Sequence, residues 1–422
     1  MRQSFPKNFL WGTATSSHQV EGDNKFNDWW QWESQGKIKN GERSGDACDH
    51  FNQFEEDFEL AKKLNQNTHR FSLEWSRIEP AEGEFNESAI YHYRKVLESL
   101  VRHNLKPMVT LNHFTLPLWI AQKGGWENPE ILVWFNRFVR KCVKHFGDLV
   151  PFWITINEPM VLFFQSYQMG HWPPGKKGGL KHKKVVQHLI KAHGQAYRTI
   201  HEEMDRNNWK GQVGLAVYHR VFHPFRPNFI LDRWAAKLRD YLFNTLFLKA
   251  IDTGIISMPF AFQMKEESLK GTWDFIGLNY YTREHVKFSL TNVNKLFGVE
   301  VLREQDEKNS LNWEVYPEGI YESLFALKKY KKPIYITENG ICCEKDKQRE
   351  QFIISHLKQV QKAIREGVDC RGYFHWSLLD NFEWAEGYGP RFGITHVDRQ
   401  NQERILRESA RLYSEIARTN SI

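Results

Sequence analysis

The sequence predicts a closed α/β barrel of eight parallel strands, and three observations predict it. Short, nearly continuous apolar runs recur eight times along the 422 residues, amphipathic helical patterns lie between them, and no stretch rich in proline, glycine or serine divides the chain. Strands buried on both faces read this way, and strand–helix alternation implies parallel pairing through right-handed crossovers. An open doubly wound sheet shares the alternation but predicts phosphate-binding signatures after its early strands. Neither GxGxxG nor GxxxxGK[ST] occurs. Eight units in one unbroken chain therefore point to a single-domain (β/α)8 TIM barrel over residues 1–422, with functional residues at the C-terminal ends of the strands.

The strand-like runs are Leu10–Ser16, Arg70–Trp75, Pro107–Asn112, Phe152–Ile156, Val213–Tyr218, Phe275–Tyr280, Pro333–Thr337 and Gly372–Leu378. Helical periodicity spans Ser88–Asn104, where Ile90, Tyr93, Leu97, Leu100 and Val101 share a face and Ser88 is the expected N-cap. It recurs over Pro129–Phe146, closing at Gly147, the expected C′ glycine. Glu55–Leu64, Val185–Arg206, Gln351–Glu366 and Arg404–Arg418 complete the expected helices.

Composition narrows the function classes. The chain is 41% hydrophobic and 26% charged, which describes a soluble globular protein. Sixteen tryptophans suit stacking surfaces as well as an aromatic core, because each indole N–H needs a partner. The net charge of +7 is spread along the chain apart from Lys176, Lys177, Lys181, Lys183 and Lys184, a solvated loop or a functional rim. No basic stripe with a nucleic-acid module is present. Five cysteines without CxxC spacing fit neither a disulfide framework nor a zinc site, and no HExxH occurs, so no metal is expected. The opening MRQSFPKNFLWG lacks a secretory pattern and no run approaches the ~18 apolar residues of a membrane span, so a cytoplasmic location is expected. The Asn86-Glu87-Ser88 sequon reads as chance.

The strand exits carry the chemistry. In order they present Ser17-His18-Gln19-Val20-Glu21, Arg70, Asn112-His113-Phe114, Asn157-Glu158-Pro159, Asn279-Tyr280-Tyr281, Thr337-Glu338-Asn339-Gly340 and, after Phe374-His375-Trp376-Ser377, Asp380-Asn381-Phe382-Glu383-Trp384. Glu158 and Glu338 each follow an apolar strand directly, where a carboxylate is costly unless paired or used. Capping or a salt bridge explains one such glutamate; it explains two, on strands 4 and 7 of one barrel and both beside Asn, less well. Two carboxylates facing each other suit glycoside hydrolysis, in which one protonates the leaving oxygen and the other stays ionised to attack or stabilise the anomeric carbon. Arg70 could lower one pKa and Tyr281 could donate to that carboxylate, but position alone leaves the two roles interchangeable.

Phe9-Leu10-Trp11-Gly12-Thr13-Ala14-Thr15 with Gln19-Val20-Glu21-Gly22, Arg70-Phe71-Ser72, Thr155-Ile156-Asn157-Glu158-Pro159, Gly277-Leu278-Asn279-Tyr280-Tyr281, Ile336-Thr337-Glu338-Asn339-Gly340 and Asp380-Asn381-Phe382-Glu383-Trp384 together resemble the family 1 β-glycosidases. The motifs stand in family order and cover about residues 5–415. The resemblance implies a retaining exo-β-glycosidase acting on terminal β-D-glucosides, and on β-galactosides or β-fucosides beside them. It assigns Glu158 as acid/base and Glu338 as nucleophile, with Arg70, Tyr281 and Asn279 supporting the nucleophile. Gln19, His113, Asn157, Trp376, Glu383 and Trp384 match the sugar-binding positions. Expected partners are β-linked glucosides or short oligosaccharides, with no cofactor, no nucleic acid and no membrane. A retaining pair would hold its carboxyl groups about 5–5.5 Å apart. A transglycosidase on the same site is the near alternative; a non-catalytic sugar-binding barrel and a metal-dependent barrel hydrolase are the distant ones.

Departures narrow the branch. Glu158 stands where thioglucosidases carry Gln, and Glu383 stands where 6-phosphoglycosidases carry Ser, so an O-glycoside of a plain sugar is expected. Phe114 replaces the Trp of many members and removes an indole donor. The charged segment Arg283–Asn312 reads as a trimmed or mobile loop that opens the aglycone entrance. His69, His375, Trp11, Trp75 and Trp153 read as core; Trp119 and Trp313 are candidates for the aglycone side; Cys342-Cys343 reads as a plain loop pair.

Overall fold

A computed structural model describes residues 4–259, 262–292 and 295–422. Eight strands close into a barrel: β1 (Leu10–Ala14), β2 (Thr68–Ser72), β3 (Lys106–Asn112), β4 (Phe152–Asn157), β5 (Gln212–Tyr218), β6 (Phe275–Asn279), β7 (Ile334–Asn339) and β8 (Cys370–Trp376). Each strand hydrogen-bonds its sequence neighbours in parallel, and β1 closes the ring against β8 in the register Leu10 to Gly372 through Ala14 to Trp376. The expected (β/α)8 barrel is therefore the observed one. Every residue of β1, β2, β6 and β7 is buried, which is why their sequences are continuous rather than alternating.

Outside the ring lie α1 (His50–Lys63), α2 (Glu87–Arg102), α3 (Ile131–Phe146), α4 (Lys183–Asn207), α5 (Leu246–Thr253), α6 (Glu318–Leu327), α7 (Asp346–Arg365) and α8 (Glu408–Thr419). α3 buries Ile131, Trp134, Phe135, Phe138, Val139, Cys142, Val143 and Phe146, a stripe at helical spacing against the barrel. Each fully buried side chain of this size contributes about 1.5–3 kcal/mol. Trp11, Trp75 and Trp153 are core, as expected. His69 is core too, within reach of the Thr13 and Thr15 hydroxyls at 3.2 and 3.3 Å, and His375 is buried in β8. Among the described residues, no helix is long and apolar enough to cross a membrane.

Several local expectations are corrected. The N-cap of α2 is Asn86, not Ser88: its Oδ1 accepts from the backbone N–H of Ser88 and Ala89 at 3.0 and 3.2 Å, and Ser88 is already helical. Gly147 does not take the left-handed C′ conformation (φ −62°). It is needed for space, because a Cβ there would lie 2.4 Å from the Trp209 ring. The run Arg404–Arg418 is not one helix: Arg404–Leu406 pairs antiparallel with Thr395–Val397 before α8 begins. Segment 283–312 is not a plain loop. Arg283–Phe288 forms a strand, parallel to Val221–Pro224 and antiparallel to Gly298–Glu300. Strand β2 stops at Ser72, and Trp75 opens the short helix Trp75–Ile78.

Candidate active site

His113, Asn157, Glu158, Tyr281, Glu338, Trp376, Glu383 and Trp384 line one cavity of about 1170 Å³ at the C-terminal end of the barrel, and Gln19, Arg70 and Asn279 stand behind them, hydrogen-bonded to its carboxyls. β4 runs into Asn157, and Glu158 then takes a left-handed backbone (φ 44°, ψ 57°) before Pro159 starts a short helix. Pro at the first helical position fixes the restart, and the turn swings the Glu158 carboxyl into the cavity. β7 delivers Glu338 from the opposite side. Gly340, two residues on, admits no side chain: a Cβ would sit 1.8 Å from the Trp376 carbonyl oxygen.

The two glutamates have different partners. Glu338 Oε1 accepts from Arg70 Nη1 at 2.6 Å and Oε2 from the Tyr281 hydroxyl at 2.7 Å. Glu158 Oε1 accepts only an amide hydrogen from Asn279, at 2.7 Å. Burial raises the pKa of both. For Glu158 the nearby Glu338 charge adds to burial and drives it well above the carboxylate range. For Glu338 the Arg70 cation and the Tyr281 donor oppose burial, so it is raised less far. A pair arranged in this way keeps one proton, on Glu158, and one charge, on Glu338.

Arg70 organises the floor. It also donates to the Thr337 carbonyl at 3.0 Å and to Asn157 Oδ1 at 2.7 Å. Asn157 therefore turns its NH2 toward His113 Nε2 at 3.1 Å. Burial and Arg70 hold the His113 pKa well below its ordinary value, so the ring is neutral. With Nε2 accepting, its proton sits on Nδ1, which has no hydrogen-bond partner among the described residues. Asn279 stands between the carboxyls, bonding Glu158 and helping to lower Glu338.

The far wall is polar and aromatic. Gln19 Nε2 donates to Asn381 Oδ1, the Phe382 carbonyl and Glu383 Oε2 at 3.0, 2.9 and 3.3 Å. Burial and the Glu338 charge raise Glu383 to about 8, with Gln19 and the Trp376 indole donating against that shift. Trp376 and Trp384 flank His113, each near-parallel to it at about 6 Å. Phe114 (φ 73°) and Trp384 (φ 50°) both sit in left-handed backbone.

Further out the aromatic candidates separate. Trp313 lines the cavity and packs against Tyr281 at 5.8 Å. Trp119 does not: its indole donates to the Glu79 carbonyl and its ring packs on Trp134. Lys177 lines the cavity, whereas Lys176 pairs with Glu127. Cys342 and Cys343 are free and buried. The outer wall also includes Tyr218, Arg220, Phe243, Trp32 and Trp172, none of which was singled out from sequence. The signal was present for two of them, since Tyr218 ends β5 and Arg220 lies just beyond it, the same strand exit from which Glu158 comes on β4.

The sequence profile of glycosyl hydrolase family 1 matches residues 1–422. The chain belongs to glycosyl hydrolase family 1. As a member of family 1 it shares 36% identity with β-glucosidase A of Thermotoga maritima, covering 100% of this chain and 99% of that one. The family 1 barrel superposes on the β-glycosidase from Pyrococcus horikoshii with a TM-score of 0.93 at 42% identity, over 100% and 96% of the two chains. It superposes equally closely on the T. maritima β-glucosidase in complex with castanospermine, with a TM-score of 0.92 at 34% identity over 99% of each.

Proposed function

We propose that this family 1 chain is a retaining exo-β-glucosidase in which Glu158 is the acid/base and Glu338 the nucleophile. The observation that carries the assignment is the asymmetry of partners: Arg70 and Tyr281 hold Glu338 for ionisation, while Glu158 has an amide and a neighbouring negative charge. In the first step Glu338 attacks the anomeric carbon as the Glu158 proton passes to the leaving glycosidic oxygen, forming a glycosyl ester. In the second, Glu158 takes a proton from water, which attacks the same carbon, breaks the ester and restores both groups. His113, the Asn157 amide, Gln19 and Glu383 suit vicinal hydroxyls, and Trp376 and Trp384 suit the C–H face of a pyranose. The relatives named β-glucosidase support glucosides as substrates, and a β-galactosidase of Pyrococcus woesei at 34% identity supports galactosides beside them; fucosides, which share the galactose configuration at C4, belong to the same reading. Sugar acceptors compete with water for the same ester, so transglycosylation belongs to the same reading.

Residues 1–422 act as one catalytic unit in this proposal, because β1 is completed only by β8. Five free, buried cysteines support a reducing compartment, the cytoplasm. Glu338→Ala tests the mechanism. Aryl β-glucoside turnover should fall by several orders of magnitude, and azide should restore part of it with the α-glucosyl azide as product. Recovery of the β-azide would refute Glu338 as nucleophile. Relative kcat/KM on p-nitrophenyl glucoside, galactoside, fucoside and mannoside sets the glycone preference.

A further inference from the structure

A second cluster of ligating groups lies behind the cavity wall, apart from the catalytic carboxyls. His285 on the strand Arg283–Phe288 points at the two ends of a loop, Asp306 and Glu314. One donor atom from each of the three lies within 4.8 Å of the others. His285 Nε2 is 3.3 Å from Glu314 Oε2 and 3.7 Å from Asp306 Oδ2. His285 is only 4% exposed, yet neither of its ring nitrogens, nor Asp306 Oδ2, has a hydrogen-bond partner among the described residues. Buried polar atoms ordinarily find partners.

The spacing has a chemical meaning. Ligands at about 2.0–2.2 Å around a tetrahedral ion stand about 3.3–3.5 Å from one another, close to the separations around His285 Nε2. Arg283 lies against both carboxylates: its Nε donates to Glu314 Oε2 at 2.8 Å, its Nη2 pairs with Glu314 Oε1 and stands 3.9 Å from Asp306 Oδ2, and its guanidinium stacks on Tyr316. A carboxylate oxygen that accepts one N–H retains a second lone pair. Arg303 turns away, donating to the Phe225 carbonyl at 3.4 Å. Two carboxylates against one guanidinium leave a net negative charge beside a neutral-capable imidazole, with Asp306 partly buried. Imidazole with carboxylates favours zinc and its first-row neighbours over calcium or magnesium.

We propose that His285, Asp306 and Glu314 bind one first-row divalent transition cation, clamping the loop 307–313 to the sheet beneath it. That loop is closed by Val315 N–H to the Glu307 carbonyl (2.8 Å) and Asn309 N–H to the Trp313 carbonyl (2.9 Å). Its Ser310, Leu311, Asn312 and Trp313 line the cavity. The ion takes no part in bond cleavage; it fixes the wall against which the leaving group rests.

The test uses the full chain stripped with EDTA and titrated with ZnCl2 by calorimetry, with thermal unfolding in parallel. One equivalent should bind and raise the Tm. Asp306→Asn, an isosteric change at a half-buried site, should weaken Zn2+ binding by roughly 10- to 100-fold and abolish the Tm rise, while its kcat on an aryl glucoside shows that it has folded. Co2+ in place of Zn2+ should give visible absorption bands that the variant lacks. Failure to bind one equivalent, or Zn2+ held equally well by Asp306→Asn, would overturn the site.

Discussion

Tyr281 touches Glu338 through one hydroxyl, and that contact sets where the enzyme begins to work on a pH scale. The bond stabilises the charged nucleophile, so Tyr281→Phe should raise the pKa of Glu338. The acidic limb of kcat/KM reports the free enzyme's nucleophile and should move to higher pH, whereas the basic limb, governed by Glu158, should move much less. An unmoved acidic limb would contradict the assignment of roles. Glu158 and Glu338 were recognisable as exceptional because a lone carboxylate directly after an apolar strand is physically conspicuous. Their separate roles were legible only through the family motifs, since the asymmetry lies in Arg70 and Tyr281, which reach Glu338 from other strands. His285, Asp306 and Glu314 illustrate the opposite case. Separated along the chain by 21 and 8 positions, they carry no compact ligand spacing, and only folding brings them together.

The barrel strands and their helices were legible because burial on both faces writes a continuous apolar run and burial of one stripe writes a helical period. Element ends were less so, since they depend on single hydrogen bonds and single contacts. Asn86→Ala should cost α2 about 1 kcal/mol in chemical denaturation, and Ser88→Ala much less, because the cap is the earlier residue. Gly147→Ala should be destabilising by about 1–3 kcal/mol despite its ordinary φ, because the added methyl meets the Trp209 ring. The short strand Arg283–Phe288 escaped detection because RxHxKF-like alternation around charged residues reads as loop, its parallel partner lies some 60 residues earlier, and its antiparallel partner is only three residues long. Arg404–Leu406, three residues long, is below the length at which periodicity says anything.

Across the whole molecule the enclosed carboxyls divide by their partners: Asp57 and Asp232, hydrogen-bonded to Arg404 and Arg226, are lowered, and five others are raised. Glu158, Glu338, Glu21, Asp28 (to about 7) and Glu383 (to about 8) are all raised, with burial the largest cause for each. A carboxyl whose folded pKa exceeds its unfolded value binds its proton more tightly in the folded state. The stability it contributes is complete below the unfolded pKa and is lost as pH rises through the folded one. Thermal stability should therefore decline as pH rises from about 4 to about 8, between the ordinary carboxyl range and the raised values of Asp28 and Glu383, and level off above. Glu383→Gln should flatten part of that decline in calorimetric scans; an unchanged slope would remove Glu383 from the account. Three bulky side chains around the mouth, Phe114, Glu158 and Trp384, occupy backbone that suits glycine. Each such position carries a penalty of about 1–2 kcal/mol in an L-residue. Phe114 and Trp384 offset that penalty by burial among aromatic neighbours, whereas Glu158 adds to it the cost of a buried carboxyl. A library of variants screened only for heat resistance would accordingly drift toward glycine at Glu158, becoming hardier as it lost the ability to cut a sugar. Selection on this barrel must be made on turnover, because heat alone rewards erasing the acid.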